Sequence, residues 1–371
     1  MLYKYLLNFI SRINMKKKLL IISKAQFGYL TDYYKYCEYL RDEFDITYLC
    51  FDSGLKILEM DQINFIYISS KGTKLLRGLR FIYNTIRFVG HFEGLVLVNY
   101  FEKCNLIKRL IPWKKMILDI RTLSVNKNES IRKIYDRKIK NAANIYNFTT
   151  VISEGVRDKI QINKSFSAIL PLGSDVISNI NKHFQNNLKL LYVGTLFDRN
   201  IHHTIIGLSL FLEKFKNPIS VSYDIIGDGD EMEIIKEMVK DKGLQNIVKL
   251  YGRIPHFELE PYFKHSNVGV AYLPKTEYYN IQPLTKTIEY LQSGMCCIAT
   301  NTDENRKVIC TENGALCEDN PESFAHALLY IYNNFKNFNS TLIRKSVEEF
   351  TWERIVGNNL IPILKKQYQY Y

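Results

Sequence analysis

The chain has 371 residues, of which 46% are hydrophobic and 24% are charged, and its formal net charge is +12. This length predicts two domains of ordinary size, and the composition excludes a largely disordered chain. The charge is uneven, because residues 1–180 hold 29 Lys and Arg against 16 Asp and Glu, whereas residues 181–371 hold 21 against 22. A basic first half indicates either a surface that meets something anionic or a solvated basic surface.

Residues 1–17 are predicted to be an amphipathic or disordered N-terminal extension. Apolar residues recur there at helical spacing among Lys and Arg, at Leu2, Leu6, Phe9, Ile10 and Ile13. Such segments can lie in a membrane interface. No signal-peptide cleavage pattern is visible, no apolar run approaches the ~20 residues of a membrane span, and the seven cysteines form no CxxC pair. We therefore expect a cytoplasmic protein, with peripheral attachment to the inner face of the cytoplasmic membrane as an option.

Strands and helices alternate from residue 18 to 180. A buried strand over Lys18–Ser23 is followed by a loop with Gly28 and by a helix over 31–43. Further strands are predicted at 46–51, 65–68, 94–98, 116–118, 147–152 and 168–170, and further helices at 74–89, 129–143 and 154–161. A βαβ start with a glycine in its first turn is typical of nucleotide-binding halves. Residues 18–180 are thus predicted to be an N-terminal Rossmann-like domain.

The same pattern restarts after the polar, Asn-rich segment 178–187. A new first strand is predicted over Leu188–Val193, with a helix at 201–215 and strands at 220–226, 247–251, 267–272 and 295–299. This predicts a second domain over 181–350, followed by a C-terminal helix over 351–371 that Pro362 kinks and that could pack back on the first domain. The predicted fold is α/β, with two Rossmann-like doubly wound domains facing a central cleft.

Glycines follow successive strands of the second array, at the strand ends where ligands bind in such folds. Gly194 opens a loop in which Arg199 could reach a phosphate. Gly227–Glu231 could be a ligand loop or an ordinary turn and N-cap. Gly252–Pro255 could offer backbone groups to a flat base. Each loop alone is weak evidence for a ligand site, but glycine loops after several successive strands are stronger evidence.

The stretch 282–300 predicts a loop, a short helix, a glycine stop and a buried strand. Pro283 suits the helix entry, and Gly294 can take a positive φ and close the helix. Lys286 and Glu289 are three residues apart, so they share one face beside free N–H groups that favour an anion. The pair could hold a phosphate and a sugar hydroxyl, or it could be an ordinary solvated Lys–Glu pair.

At this point the residues carry a family resemblance. Residues 190–300 resemble the C-terminal half of a GT-B glycosyltransferase of family 4 in four motifs, namely Gly194-Thr195-Leu196, Gly227-Asp228-Gly229, Gly252-Arg253-Ile254 and the run from Pro283 to Gly294. Two further segments, Val151–Glu154 and Leu170–Asp175, are similar to the inter-domain run of that family. The resemblance covers residues 18–360 and implies that residues 18–180 form the acceptor domain and residues 181–350 the nucleotide-sugar donor domain.

The resemblance implies a retaining glycosyltransferase that needs no metal or other cofactor. It would move a sugar from a nucleotide-diphosphate sugar to a glycan or lipid-diphosphate-linked acceptor, in cell-surface polysaccharide biosynthesis. Arg199 and Lys286 would neutralise the leaving diphosphate, and Glu289 would bind the ribose. The remaining donor-binding residues would be Gly28, Gly194, Thr195, Gly227, Gly252, Arg253, Ile254, Leu284 and Thr285. Asp119 and Arg121, near a predicted strand end, could face the acceptor or form a local ion pair.

One position departs from the family pattern. The family often has a second glutamate eight residues before Glu289, and that position is Ile281, whereas the nearby Glu277 is out of register. Two rival functions stay open. A sugar-nucleotide epimerase would use acid and base groups, for which His202, His203, His256 and His265 are available. The second rival function is that of a non-enzymatic, two-lobed sugar-binding protein. No nucleic-acid-binding module is recognised in the sequence, so no nucleic-acid partner is expected.

Overall fold

The computed structural model describes residues 16–185, 187–214 and 220–369. The predicted N-terminal extension lies almost entirely outside these residues. The described residues before Leu172, together with those from Trp352 onward, form one compact unit, and Leu172–Thr351 forms the other. Each unit is built on its own parallel sheet.

In the described residues of the first unit, seven strands and five α-helices precede the C-terminal segment. The strands are β1 (Lys17–Ile22), β2 (Phe44–Asp52), β3 (Ile63–Ser69), β4 (Leu95–Asn99), β5 (Met116–Ile120), β6 (Phe148–Val151) and β7 (Ser167–Ile169). The helices are α1 (Thr31–Leu40), α2 (Lys74–His91), α3 (Asn105–Leu110), α4 (Glu129–Ala143) and α5 (Glu154–Lys159). The strand order is β3-β2-β1-β4-β5-β6-β7, and neighbouring strands are parallel.

The second unit repeats this order with six strands. The strands are β8 (Asn187–Val193), β9 (Ser220–Ile226), β10 (Val248–Gly252), β11 (Val268–Ala271), β12 (Cys296–Thr300) and β13 (Gly314–Cys317). The helices are α6 (Ile201–Lys214), α7 (Met232–Asp241), α8 (Glu260–His265), α9 (Glu277–Asn280), α10 (Thr285–Gln292), α11 (Pro321–Asn333) and α12 (Ser340–Lys345). The sheet order is β10-β9-β8-β11-β12-β13, again with parallel neighbours.

Continuous apolar runs form the central strands because parallel sheets are covered on both faces. Leu19 to Ile22 in β1 and Cys296 to Ala299 in β12 have no exposed surface. The predicted strands β1 to β12 agree with the structure to within two residues at each end. Strand β13 and helices α3 and α11, which have four, six and 13 residues, were not predicted from the sequence.

The chain returns to the first unit after Thr351. Helix α13 (Trp352–Ile355), a π-helical turn at Val356–Leu360 and helix α14 (Ile361–Gln369) follow one another. Trp352 and Leu364 are buried in the same apolar core as β1 and α1. The predicted distortion near Pro362 corresponds to the π-helical turn directly before α14, since proline has no N–H to continue the regular ladder.

Both sheets reverse their strand order at one point, between β1 and β4 in the first unit and between β8 and β11 in the second. In open α/β sheets, ligands bind outside the carboxyl ends of the strands at such a switch point. None of the helices in the described part of the chain is long and apolar enough to cross a membrane.

Candidate functional site

Three loops at the carboxyl ends of β8, β9 and β10 are joined by backbone hydrogen bonds. The N–H of Gly194 donates to the carbonyl of Ile226 at 3.0 Å, and the N–H of Gly227 donates to the carbonyl of Gly252 at 2.8 Å. Gly227 has a φ of +152°, and a Cβ there would overlap the carbonyl oxygen of Gly194. Glycine is therefore needed at position 227, where the loop after β9 meets the loop after β8.

The loop after β8 holds Arg199 between two residues with left-handed backbone. Asp198 and Asn200 have φ of 52° and 53°, a region that Asp and Asn tolerate better than most residues. The carboxylate of Glu231 accepts the N–H groups of Arg199 at 2.5 Å, Asn200 at 3.0 Å and Ile201 at 2.9 Å. Glu231 thus caps α6 from the neighbouring loop, which fixes the backbone that carries Arg199.

The Arg199 side chain lies over the ring of Tyr279, with 4.5 Å between its Cζ and the ring centroid. Its Nη1 is buried and has no hydrogen-bond partner among the described residues. A buried guanidinium nitrogen without an acceptor carries a desolvation penalty that an incoming anion would remove. The sequence analysis named Arg199 but not Tyr279, which α9 supplies and which is buried.

Helix α10 begins without a side-chain cap in the described structure. Leu284 is its N-cap, with extended backbone, and Thr285 is its first residue. Pro283 therefore lies one residue before the cap, slightly earlier than the predicted helix entry. The first-turn N–H groups of such a helix can be satisfied by water or by an anionic ligand.

Glu289 is almost fully buried on α10 and contacts one lysine and one histidine side chain. Lys286 forms an ion pair with its Oε2, and Nε2 of His256 lies 3.6 Å from its Oε1. The predicted shared face of Lys286 and Glu289 is confirmed. Because only 7% of the Glu289 side chain is exposed, the pair is not the solvated surface pair that was the alternative. His256 comes from the segment after β10, and the sequence had indicated it only as a group for the rival epimerase.

Tyr290 seats α10 at the switch point of the second sheet. Its ring occupies the space that a Cβ on Gly269 would need, so β11 can accept the helix only with glycine at that position. Its hydroxyl accepts the N–H of Val193, the last residue of β8, at 2.8 Å. Gly294 has a φ of +72° and ends the helix, as predicted. Lys286 and Glu289 are thereby held on an element anchored to both central strands.

A second polar cluster surrounds Asp319, just after β13. Its carboxylate accepts the Tyr272 hydroxyl at 2.8 Å and contacts Nδ1 of His203 at 3.3 Å and the amide of Asn200. Burial alone would raise the pKa of Asp319, but these hydrogen bonds outweigh it and lower that pKa. The sequence analysis missed this cluster because it missed β13. Within the described residues, no group of three His, Cys, Asp or Glu is placed to hold a metal ion.

Gly28, the predicted donor residue of the first unit, follows β1 and has a φ of +88°. A Cβ there would overlap the side chain of Leu58. The neighbouring Gln26 accepts the N–H of Ser53 at 2.8 Å and donates to the carbonyl of Leu55 at 2.9 Å. This loop is thus tied to the loop after β2, and a role of Gly28 at the donor phosphates stays a prediction.

Asp119 and Arg121 are the predicted acceptor residues, and their positions do not suit that role. Asp119 has no exposed surface, because β5 extends past it to Ile120, and it accepts the hydroxyls of Tyr33 at 2.8 Å and Thr150 at 2.7 Å. Burial raises its pKa. Arg121 pairs with Asp32 at 2.7 Å and donates to backbone carbonyls after β7. The local ion-pair alternative therefore describes them better.

Other residues of the second unit lie near the loops already described. Thr195 is exposed, and its carbonyl accepts the Tyr192 hydroxyl at 2.7 Å. Arg253 is exposed, while Ile254 packs partly against the core. The structure thus brings the predicted donor residues of the second unit to one end of its sheet, with Gly28, Asp119 and Arg121 in the other unit.

Comparison with known proteins agrees with this architecture. Residues 187–334 match the family model described as glycosyl transferases group 1. No curated protein matches the sequence.

Three solved structures illustrate the similarity in fold. The chain is similar to the lipopolysaccharide outer core galactosyltransferase WaaB (15% identity, TM-score 0.69, 94% of this chain and 99% of that chain covered). It is also similar to sucrose-phosphate synthase from Thermosynechococcus elongatus (16%, 0.73, 96% and 100%). The third is Anabaena HepE in complex with UDP-glucose (12%, 0.69, 96% and 100%). The chain therefore has the GT-B fold of glycosyltransferases, and its residues 187–334 match group 1 of those enzymes.

Proposed function

We propose that this protein is a glycosyltransferase that moves a sugar from a nucleotide-diphosphate sugar to an acceptor hydroxyl. One observation carries the proposal: the switch point of the second sheet combines a helix start that no described side chain caps, a buried carboxylate and a buried guanidinium nitrogen without an acceptor. The match of residues 187–334 to group 1 glycosyl transferases supports it, as does the UDP-glucose bound in HepE.

Glu289 is the proposed ribose ligand. A buried carboxylate can accept two hydroxyl groups of a ribose, and in this protein its oxygens are held by Lys286 and His256 instead. Donor binding would therefore replace these contacts and release the Lys286 ammonium for the diphosphate. Thr285 and Leu284 would present backbone N–H groups to the same phosphates.

Arg199 and Lys286 are the proposed catalytic cations. During transfer, the bond between the anomeric carbon and the diphosphate breaks, and negative charge grows on the leaving phosphate. Two cations and a helix N-terminus aimed at that phosphate stabilise the transition state more than the bound donor. They can supply the positive charge without a metal ion.

The acceptor hydroxyl would attack on the side that the diphosphate leaves, so that the anomeric configuration is retained. Its oxygen forms the new glycosidic bond, and its proton passes to the departing phosphate oxygen. This route needs no protein nucleophile. It also agrees with Ile281, because that position has no carboxylate to offer the transferred sugar.

The proposed acceptor is a glycan or a lipid-diphosphate-linked glycan, in cell-surface polysaccharide biosynthesis at the inner face of the membrane. The excess of Lys and Arg in residues 1–180 supports this, because an anionic acceptor or membrane surface would be attracted to it.

A panel of nucleotide sugars, assayed for binding and slow hydrolysis, tests the proposal. At least one should bind, and Lys286→Ala and Glu289→Ala should each reduce transfer by on the order of 100-fold. Lys236→Ala and Glu233→Ala provide the matched control, since they form an exposed Lys–Glu pair on α7. Unchanged turnover in both site variants would contradict the assignment. Conversion of the donor sugar without any acceptor would favour the epimerase instead.

A further inference from the structure

Helix α2 in the first unit is apolar on two sides. Its inner side packs Phe81, Thr85 and Val89 into the core. On its outer side, four large side chains are each more than half exposed, namely Leu75, Leu76, Leu79 and Tyr83. At 100° per residue these four fall within an arc of about 100°, so they form one continuous stripe. A helix that needed only its core contacts would carry polar residues there.

Helix α3 packs against α2 and extends the exposed apolar surface. Leu106 and Leu110 on α3 are exposed, and Trp113, just after the helix, is 75% exposed. Because the two helices are in contact, their exposed side chains belong to one region of the first unit. We call this region the basic–apolar face, defined by the four outer residues of α2 with Leu106, Leu110 and Trp113.

Positive charge flanks this face. Residues 71–92 contain Lys71, Lys74, Arg77, Arg80 and Arg87, and residues 103–115 contain Lys103, Lys108, Arg109, Lys114 and Lys115. Neither segment contains Asp or Glu, although Glu93 and Glu102 directly adjoin them. At 100° per residue, Arg80 and Arg87 fall next to the apolar stripe of α2, whereas Lys74 and Arg77 fall on the opposite side of the helix. Lys108 and Lys114 are buried and donate to backbone carbonyls, whereas the cations of α2, together with Lys103 and Arg109, are exposed.

We propose that the basic–apolar face docks on an anionic lipid bilayer at the level of the headgroups. Leucines can enter the acyl boundary, Trp113 and Tyr83 have the amphipathic rings that favour this depth, and the Lys and Arg side chains can reach anionic headgroups. A large exposed apolar patch normally marks such a contact. The inference extends the proposed function by assigning membrane attachment to described residues, but docking itself does not require sugar transfer.

Co-sedimentation of the full chain with vesicles tests the docking surface. The protein should bind vesicles that contain phosphatidylglycerol, bind phosphatidylcholine vesicles weakly, and lose affinity as salt rises. The triple variant Arg80→Gln/Arg87→Gln/Arg109→Gln should reduce the vesicle partition by roughly 100-fold, because each removed cation contributes about fivefold.

A second triple variant removes the apolar part, Leu79→Ser/Tyr83→Ser/Trp113→Ser, and should also abolish most vesicle binding. The matched control is Ile234→Ser/Leu342→Ser, which removes exposed apolar side chains from the second unit and should bind like the unchanged protein. Both triple variants should keep their circular dichroism spectrum and their affinity for the nucleotide sugar. If the unchanged protein binds vesicles but no nucleotide sugar, that result contradicts the proposed function and leaves the docking proposal standing.

Two results would overturn the docking proposal. If the unchanged protein binds neither type of vesicle, the face belongs to a protein partner. If both triple variants bind anionic vesicles as well as the unchanged protein does, attachment lies elsewhere in the chain, with residues 1–14 as the next segment to remove.

Discussion

The two units have the same order of central strands, yet the carboxyl ends of those strands differ. In the first unit, Gln26 ties the loop after β1 to the loop after β2, and Asp119 in β5 is buried under Tyr33 and Thr150. In the second unit, glycine backbones join the loops, and α10 starts without a side-chain cap within the described structure. One edge is filled by its own side chains, while the other retains groups that an anionic ligand can satisfy.

This contrast shows that the strand order alone does not determine the site. Both sheets have a switch point, where a crevice is expected. In the first unit, the hydroxyls of Tyr33 and Thr150 satisfy the buried carboxylate of Asp119. In the second unit, the buried carboxylate of Glu289 pairs with Lys286, and Nη1 of Arg199 lacks an acceptor among the described residues. The loops at the strand ends, and not the strand order, therefore determine which unit can bind an anionic ligand.

The largest expected effect is on the loop junction of the second unit. Gly227→Ala would place a methyl group against the carbonyl of Gly194 at a positive φ, so we expect a loss of about 4 kcal/mol in the free energy of unfolding. Chemical denaturation measures it. Gly243→Ala is the control, because its φ is +65° and nothing lies within 4 Å, so about 1 kcal/mol is expected. Equal losses in both variants would show that the junction is not tightly packed.

The corresponding test of the first unit is Asp119→Asn. An amide cannot accept both hydroxyl hydrogen bonds and still satisfy its own donors, so stability should fall by about 3 kcal/mol. Nucleotide affinity should not change. Asp61→Asn, an exposed change in the same unit, should leave stability within about 0.5 kcal/mol. Full stability combined with loss of transfer would restore Asp119 as an acceptor residue.

The free energy of unfolding should depend on pH through one partly buried lysine of the second unit, Lys182, as it would not if all lysines were fully solvated. Burial lowers the pKa of Lys182 from 10.5 to about 8. The folded protein thus disfavours the charged form below pH 8, and this penalty disappears as pH rises toward 10.5. Relative to Lys182→Met, the unchanged protein should gain about 1 kcal/mol of stability across that window, after allowance for solvent screening. A flat difference between the two proteins would contradict the shift.

The smallest expected effect is that of His256→Gln on donor affinity. His256 contacts Glu289 at 3.6 Å but is more than half exposed, so its interaction is worth well under 1 kcal/mol. Because donor binding would replace this contact, we expect donor affinity to rise by about threefold or less in a calorimetric titration. His265→Gln, an exposed histidine of α8, is the matched control. A loss on the order of 100-fold would mean that His256 touches the substrate itself.

Long apolar runs made most of the fold predictable. Strands Lys17–Ile22 and Cys296–Thr300 each contain a run of four buried apolar residues, and these runs stand out from their surroundings because parallel strands are covered on both faces. Strand Gly314–Cys317 has only four residues, two of them half-buried, and it gives no comparable signal. Helix Asn105–Leu110 is similarly short, and its burial depends on contacts with distant residues.

The site was predictable where one segment contains it, and not where distant segments meet. Lys286, Glu289 and Gly294 share one helix and its end, so their spacing was sufficient. Glu231 caps a helix that belongs to another loop, and His256 approaches Glu289 from a third loop. Asp119 was predicted to lie beyond the strand because its side chain is polar, whereas β5 includes both Asp119 and Ile120.

A crystal structure of the protein with a bound UDP-sugar tests the central claim most directly. We expect the diphosphate to lie at the N-terminus of α10, against Lys286 and Arg199, with the ribose hydroxyls on Glu289. The ion pair between Lys286 and Glu289 should then be broken. A nucleotide bound at the carboxyl edge of the first sheet, with that ion pair intact, would contradict the assignment of the donor site to the second unit.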